Sequence, residues 1–348
     1  MATTIKDVAR EAGVSITTVS KVLNGNDHDI GRDTRENVLE VVARLHYVRS
    51  SSARSLVTKR TNVIGLVIPD ISNNYFAELA QAIEVEIRKH GYFLIFCNTS
   101  DDDKIESKCL ELLQEQSVDG MIIVPTTVST YEKIVGALRI KKPIVFLDRV
   151  FEHPFGGKCN SPDLNLGNIW FDNEKGGYLA TNYLIKCGHR KIGCITGPLY
   201  NKSAQERLKG YKKALEDNHI PYDENLVVEA DYRHASGTPA TEKILKKDIT
   251  AIFIQNDLMA VSAYSAITAA GKEVGKDISI VGYDNTEYCE WVTPKLTSVI
   301  QPGLEMGTQA GKMIISLIKG ETADNAYQFE PDLCIRQSVA KIAPESVE

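Results

Sequence analysis

From residue 63 onward the chain keeps returning to one arrangement: a short run of apolar, β-favouring residues, a break, then an amphipathic stretch of helical period. Val63 to Pro69, Tyr92 to Asn98, Gly120 to Pro125 and Pro143 to Asp148 read as strands with helices between them. A second series follows at Ile169 to Asp172, Lys191 to Gly197, Leu226 to Ala230, Ala251 to Asn256 and Ile278 to Tyr283. Near-continuous apolar strands alternating with helices form parallel sheets buried on both faces, so the pattern predicts an α/β body. Two series predict two similar lobes. At 348 residues the chain exceeds one ordinary core, which leaves room for a further small domain in front of them.

Hydrophobic content of 43% and charged content of 25% are ordinary globular values. No apolar run approaches the roughly 18 residues of a membrane span, so no membrane partner is expected. Met1-Ala2-Thr3-Thr4-Ile5-Lys6-Asp7 has no apolar stretch of the kind a secretory signal needs, which predicts a cytoplasmic protein. The seven cysteines, at 97, 109, 159, 187, 194, 289 and 334, form no CxxC pair and no cluster with histidine at zinc spacing. They read as reduced thiols, and neither a metal nor a cofactor is expected. The net charge of −6 hides an asymmetry: residues 1–60 hold ten Lys/Arg against seven Asp/Glu, leaving 30 against 39 in the rest. A basic module on an acidic body points towards nucleic acid.

Within that basic module, Thr4 stands where an N-cap would, with Asp7 placed to reach back to it, and Ile5, Val8, Ala9 and Ala12 fall on one helical face. Gly13 supplies a left-handed stop, Val14 an apolar plug, and Ser15 the cap of a second helix with Val19, Val22 and Leu23 inward. Two short helices sharing so tight a turn form a helix-turn-helix, whose second helix enters the major groove. Ile16, Thr17 and Lys21 are then placed for base edges, with Ile16 suited to a thymine methyl, and Thr18 and Ser20 for phosphates. A bland helical hairpin would use similar caps. A third helix is expected from about Asp33 to Leu45, with Val38, Leu39, Val42 and Leu45 closing a small core. Ser50 to Thr58 offers serine caps and about two helical turns, too few to hold alone in water.

Thr4-Ile5-Lys6-Asp7-Val8-Ala9, Ala12-Gly13-Val14-Ser15, Thr18-Val19-Ser20, Val22-Leu23-Asn24, Thr34-Arg35 and Ala53-Arg54-Ser55-Leu56 resemble the lactose/galactose repressor (LacI/GalR) family. The resemblance implies a helix-turn-helix headpiece over 1–48, with Thr4, Ser15 and Asn24 joining the DNA-contacting set. It also implies a hinge over 49–60 that folds on DNA as a dimer pair, and an effector-binding and dimerisation domain over 61–340. Ala53, Arg54 and Leu56 of the hinge are assigned to the operator, Leu56 as a minor-groove wedge. The operator is then double-stranded, kinked and pseudo-palindromic. One departure stands at Arg49-Ser50, where the family usually places Pro-Asn. Serine retains a cap and Arg49 adds a phosphate partner, while a plain flexible linker is the competing reading.

The body then resembles a type I periplasmic-binding-protein-like fold. Lys295 to Pro302, Gly303 to Ile318 and Gln328 to Arg336 come too late for lobe two alone and match the family's crossover. Lobe one is expected over about 61–167 and 302–327, lobe two over about 168–301 and 328–340. Ligands of open α/β sheets bind beyond the carboxyl ends of the strands, here in a cleft between two such edges. Tyr75, Asp148, Arg149, Ser203 and Asp257 are candidates by position, beside Phe76, Arg207, Tyr232, Asn256 and Asp284, which match cleft positions of the family. Packing for Tyr75, helix capping for Asp257 and turn formation for Asp148 and Asp284 compete with those roles. Carboxylate, amide and guanidinium groups pair with adjacent hydroxyls while aromatic faces cover apolar surface, so a sugar or sugar derivative is the first expectation. Nucleobase-sensing members carry arginine where this chain has Asn201, which tilts against a nucleobase or nucleoside without removing it; a protein corepressor is a further alternative.

No nucleophile with its base, no metal cluster and no phosphate loop points to an enzyme. Gly303, Gly307 and Gly311-Lys312 fail the P-loop spacing and put glycines on one helix face instead, for close packing. A stand-alone sugar-binding protein would share the body but has no use for residues 1–60. The long segment Phe151 to Gly167, with His153 and Cys159 but no spaced metal partners, reads as a tolerated insertion, a roof over the cleft or a partner contact. A homodimeric DNA-binding regulator, a repressor by the family's commoner habit, is the expectation that unites these readings.

Overall fold

The computed structural model describes residues 3–47, 60–127, 141–149, 165–321 and 325–342. The chain separates into two compact units, Met1–Thr61 and Asn62–Glu348.

The first unit holds α1 (Ile5–Ala12), α2 (Ile16–Asn24) and α3 (Arg32–Arg44). Thr4 and Asp7 form a reciprocal capping box on α1, and Gly13, at φ 66°, ends it in the left-handed conformation. Val8, Ala9, Ala12, Val19, Val22, Val38 and Val41 make the buried core. Each fully buried valine there contributes on the order of 1.5–3 kcal/mol. The register of α3 differs from the sequence expectation: Val38 and Val41 are buried, Val42 and Leu45 pack at the margin, and Leu39 is 40% exposed. Four apolar residues within five positions fit more than one helical face, and the docking of α1 and α2 selects among them.

The second unit is built on two six-stranded sheets. The first contains β1 (Val63–Ile68), β2 (Phe93–Asn98), β3 (Gly120–Ile123), β4 (Ile144–Asp148), β5 (Leu166–Phe171) and β11 (Ala326–Phe329), in the spatial order β11-β5-β4-β3-β1-β2. The second contains β6 (Ile192–Thr196), β7 (Val227–Glu229), β8 (Ala251–Ile254), β9 (Ser279–Asp284), β10 (Thr297–Ile300) and β12 (Asp332–Cys334), in the order β12-β10-β9-β8-β6-β7. The described pairings are parallel except β10 with β12.

Helices α4 (Asn74–Arg88), α5 (Asp103–Glu115) and α11 (Gly303–Lys319) cover the first sheet. The second is covered by α6 (Asn173–Lys186), α7 (Lys202–Asp217), α8 (His234–Ile244) and α9 (Asp257–Ala269), with the short α10 (Tyr288–Trp291) at its edge. The glycines of α11 do serve close packing: a Cβ on Gly307 would lie 2.6 Å from the Leu79 carbonyl oxygen, and one on Gly311 2.8 Å from the Glu86 Cβ.

Three crossings join the lobes, and they correct the expected boundaries. The sequence pattern puts Ile169 to Asp172 in lobe two, but β5 pairs in parallel with β4, Asp148 opposite Trp170, and so belongs to lobe one. β11 pairs with β5 through Phe329, which carries Gln328 and Phe329 into lobe one as well. The chain therefore crosses after Phe171, between β10 and α11, and between β11 and β12. A mostly apolar strand such as β5 satisfies either sheet equally well, and only edge pairing decides which sheet receives it.

Candidate functional site

In the headpiece, the Thr18 N–H donates to Ser15 Oγ at 3.0 Å, which holds the start of α2 open at the exposed Ser15, Ile16 and Thr17. Ile16 is 44% exposed although α2 buries Val19 and Val22 on its other face. An apolar side chain held at the outer N-terminus of a second helix is placed to meet base edges. Thr18 shares a hydrogen bond with Ser15 Oγ at 2.9 Å, and Asn24 Nδ2 donates to the Ser20 carbonyl at 2.7 Å. Lys21 pairs with Asp29, and the Thr4 hydroxyl with the Asp7 carboxylate. Arg49, Ala53, Arg54 and Leu56 lie outside the described residues, as does most of the 151–167 segment.

Between the two lobes of the second unit lies a cavity of about 220 Å³. Tyr75, Phe76, Asp148 and Arg149 line it from lobe one, and Ser203, Arg207, Tyr232, Asn256 and Asp284 from lobe two. Each sits at or just beyond a strand's carboxyl end or in the first two turns of the following helix. Of the ten described non-glycine residues at positive φ, five face this cavity: Ser100, Asp101, Asp148, Tyr232 and Asp284. Such backbone costs of order 1–3 kcal/mol per residue and persists where surrounding structure imposes it, typically at ligand sites.

Arg207 organises the buried side of the cleft. Its Nε donates to Asn173 Oδ1 at 2.8 Å, its Nη2 to Gln301 Oε1 at 3.0 Å and its Nη1 to the Gln255 carbonyl, while Asp284 Oδ1 lies 3.8 Å away. Gln301, in the second crossing, donates through Nε2 to Asp148 Oδ1 at 2.5 Å, and Tyr75 donates its hydroxyl to the same oxygen at 3.2 Å. A continuous polar chain thus runs from lobe one through the crossing to lobe two. Burial drives the Asp284 carboxyl well above the usual carboxylate range, against the opposing pull of Arg207. Asn256 caps α9 through its oxygen and donates Nδ2 to the Tyr232 carbonyl at 2.8 Å, fixing the strained turn that presents the Tyr232 ring. Arg149 pairs with Asp101, leaving its Nε without a partner, and the Tyr232 hydroxyl also lacks one.

Two candidates fall outside the wall. Asp257 accepts from the Thr286 N–H at 2.7 Å, from Ser298 Oγ at 2.6 Å and from Cys289 Sγ at 3.2 Å, so its carboxylate organises the turn after β9. Asn201 caps α7 through the Ser203 N–H at 3.1 Å and sits beneath the surface, its Nδ2 buried and unpaired. Sequence reasoning missed Asp70, Asp101, Asp231, Arg233 and Tyr200 on the wall, and Gln301 behind it. Asp70, Asp101 and Gln301 lie within three residues of strand ends, so the rule that located Asp148 and Asp284 applied to them too. Among the described residues there is no group of His, Cys, Asp or Glu that could hold a metal ion, and no helix is long and apolar enough to cross a membrane.

Residues 4–50 match the family model "Bacterial regulatory proteins, lacI family", and residues 181–339 match the "Periplasmic binding protein-like domain". The chain is 35% identical over 344 residues to the HTH-type transcriptional regulator DegA of Bacillus subtilis (strain 168), covering 98% of this chain and 99% of DegA. It is also 35% identical to the HTH-type transcriptional repressor PurR of Aliivibrio salmonicida (strain LFI1238), covering 97% and 99%. Among solved structures, the Lac repressor dimer bound to operator and the anti-inducer ONPF matches with a TM-score of 0.83 at 29% identity, covering 98% of this chain and all of that one. These relatives are named as regulators rather than enzymes. With a capped helix-turn-helix, a two-lobed body and similarity along nearly its whole length, the chain belongs to the lacI family of bacterial regulatory proteins, DNA-binding transcriptional regulators with a periplasmic-binding-protein-like effector domain.

Proposed function

We propose that this regulator represses transcription by holding a pseudo-palindromic operator as a homodimer, and that a sugar or sugar derivative bound between the lobes sets its DNA affinity. The observation that carries the effector reading is the polar chain Tyr75–Asp148–Gln301–Arg207, which links both walls of the cleft through a crossing segment. A ligand with several hydroxyls competes for its donors and acceptors on both lobes, and so has a differential affinity for different lobe arrangements, as a population shift requires. Lobe one follows the hinge in sequence, so a change in its arrangement alters the spacing of paired hinges.

Dimerisation is supported by the edge strand β2, whose Phe93 and Phe96 are 71% and 52% exposed, an apolar edge that a partner chain would cover. Thr4, Ser15, Ile16, Thr17, Thr18, Ser20, Lys21 and Asn24 of the headpiece, with Arg49, Ala53, Arg54 and Leu56 of the hinge, are the proposed DNA contacts. The cleft residues named above are the proposed effector contacts, with no catalytic role for any of them. The location proposed with this role is the cytoplasm, which DNA binding supports.

The test is a thermal-shift screen of the full chain against sugars, sugar derivatives, nucleosides and nucleobases, followed by an operator titration with any hit, because a ligand of the folded state raises the melting temperature. A sugar that raises it and changes operator affinity supports the reading. A nucleobase hit replaces the effector class. A silent screen removes the small-molecule reading in favour of a protein corepressor.

A further inference from the structure

The charge pattern of the cleft narrows its ligand further. Among the described residues, five carboxyl groups and three guanidinium groups face the cavity. All three cations are already engaged: Arg149 with Asp101, Arg207 through three nitrogens with Asn173, the Gln255 carbonyl and Gln301, and Arg233 with Asp70 at 3.9 Å. Asp148 and Asp231 remain, and among the described residues neither has a cation at ion-pair distance. Asp148 accepts from Tyr75 and Gln301, and Asp231 from the Arg233 main-chain N–H at 2.9 Å. Even with Asp284 left out of the count, four carboxyl groups face three guanidinium groups.

Helix N-termini are the other common source of anion binding, because their free N–H groups and dipoles favour negative charge. Here α4, α7 and α9 start at the strand ends that border the cleft, and each is capped by its own asparagine: Asn73 to the Tyr75 N–H at 3.1 Å, Asn201 to the Ser203 N–H at 3.1 Å, Asn256 to the Met259 N–H at 3.0 Å. At α8, where no side-chain cap is made, the Asp231 carboxylate already occupies the approach. What the wall still offers are single donors, the Tyr232 hydroxyl and Arg149 Nε–H, suited to individual ligand oxygens.

Resting on the reading of this cleft as the effector site, we infer that it selects an effector without an anionic group and discriminates against the phosphorylated or carboxylated form of the same compound. A phosphate monoester brings a charge of about −1.5 to −2. In this cleft it loses water without gaining a cation and meets the potential of Asp148 and Asp231, and a buried unpaired charge is strongly disfavoured.

The experiment is calorimetry and thermal shift on the full chain with matched pairs: glucose and glucose 6-phosphate, ribose and ribose 5-phosphate, glucosamine and its 6-phosphate, and inorganic phosphate alone. Any neutral hit from the wider screen is re-measured as its phosphate ester. The expected result is binding confined to the unphosphorylated members, with phosphorylated partners weaker by about tenfold or more. Asp231→Asn is expected to narrow that gap, whatever its effect on the neutral ligand, and an unchanged gap would count against the inference. A phosphorylated member binding as tightly as its parent, or inorganic phosphate alone stabilising the protein, overturns the inference while leaving the effector reading intact. Silence across every pair and the wider screen removes the effector reading and this inference with it.

Discussion

The Arg207 guanidinium carbon lies 3.7 Å from the centroid of the Tyr283 ring, with three of its nitrogens donating to Asn173, Gln255 and Gln301. An aromatic face beneath a desolvated guanidinium contributes roughly 2 kcal/mol, and the planar fork meets acceptors on three separate elements. Arg207 therefore serves two ends at once: it lines the cleft and it ties α7 to the neighbouring strand ends.

Removing it exposes both roles. Arg207→Ala takes a donor from Asn173, Gln301 and the Gln255 carbonyl and the counter-charge 3.8 Å from Asp284, and truncating one partner of a buried charged network costs about 3–5 kcal/mol. We expect a clear loss of urea stability together with a flat effector titration by calorimetry. Arg207→Lys, which keeps the charge but not the fork, is expected to recover part of the stability and little of the binding. An unchanged effector titration in Arg207→Ala would refute the assignment.

The contact of α6 with α7 is backbone against backbone. A Cβ on Gly177 would lie 2.1 Å from the Arg207 carbonyl oxygen, and one on Gly210 2.0 Å from that of Glu174. Overpacking of this kind costs about 1–3 kcal/mol or more because a backbone cannot turn aside as a flexible side chain does. Gly177→Ala is expected to lower the melting temperature of the second unit by several degrees and weaken effector binding by displacing Arg207. Wild-type melting behaviour would contradict the packing.

His189 ties the end of the second unit to β8: its Nδ1 pairs with Thr250 Oγ1 at 2.9 Å and its Nε2 with the Ala340 carbonyl at 3.2 Å. Burial lowers its pKa below the ordinary 6.5, so the unfolded chain binds the proton more readily than the folded one. This group's contribution is therefore complete above pH 6.5 and is lost as the pH falls through the depressed folded value. Denaturant titrations at pH 7.5 and pH 5 are expected to show a drop in stability on acidification that His189→Gln reduces. An equal drop in that variant would assign the acid sensitivity elsewhere.

In the headpiece, Ile16 and Ser15 separate recognition from folding. Ile16→Ser removes an exposed side chain, so headpiece melting should hold within about 0.5 kcal/mol while operator affinity falls. Ser15→Ala removes the cap on α2 and should cost about 1 kcal/mol of headpiece stability as well. Leu56→Ala, at the hinge position matched to the family's wedge, should lower specific operator affinity and leave effector titrations unchanged. Gel-shift titration at one fixed salt concentration checks all three, since phosphate contacts make affinity salt-dependent. Normal operator affinity of Leu56→Ala would remove the wedge assignment.

The amino-acid sequence by itself determined the local elements and the family. Thr4 with Asp7, Gly13 and Ser15 specify caps and a left-handed stop from neighbouring residues alone, and the apolar runs of β1 to β4 and β6 to β9 are strands wherever they are placed. Strand ends likewise pointed to Asp148 and Asp284, because α/β topology turns those ends towards ligand. The tertiary structure decided what depends on distant partners. β5 joined lobe one because β4 offered it an edge, and Val41 rather than Leu39 turned inward because α1 and α2 dock on that face. Asp257 left the candidate site because Thr286, Cys289 and Ser298 surround its carboxylate, and Gln301 entered the network because a crossing segment places its amide between Asp148 and Arg207. Caps and periodicities span a few residues and are written locally; the sheet memberships and side-chain partnerships here span 22 to 153 residues and are chosen only when the whole chain has packed.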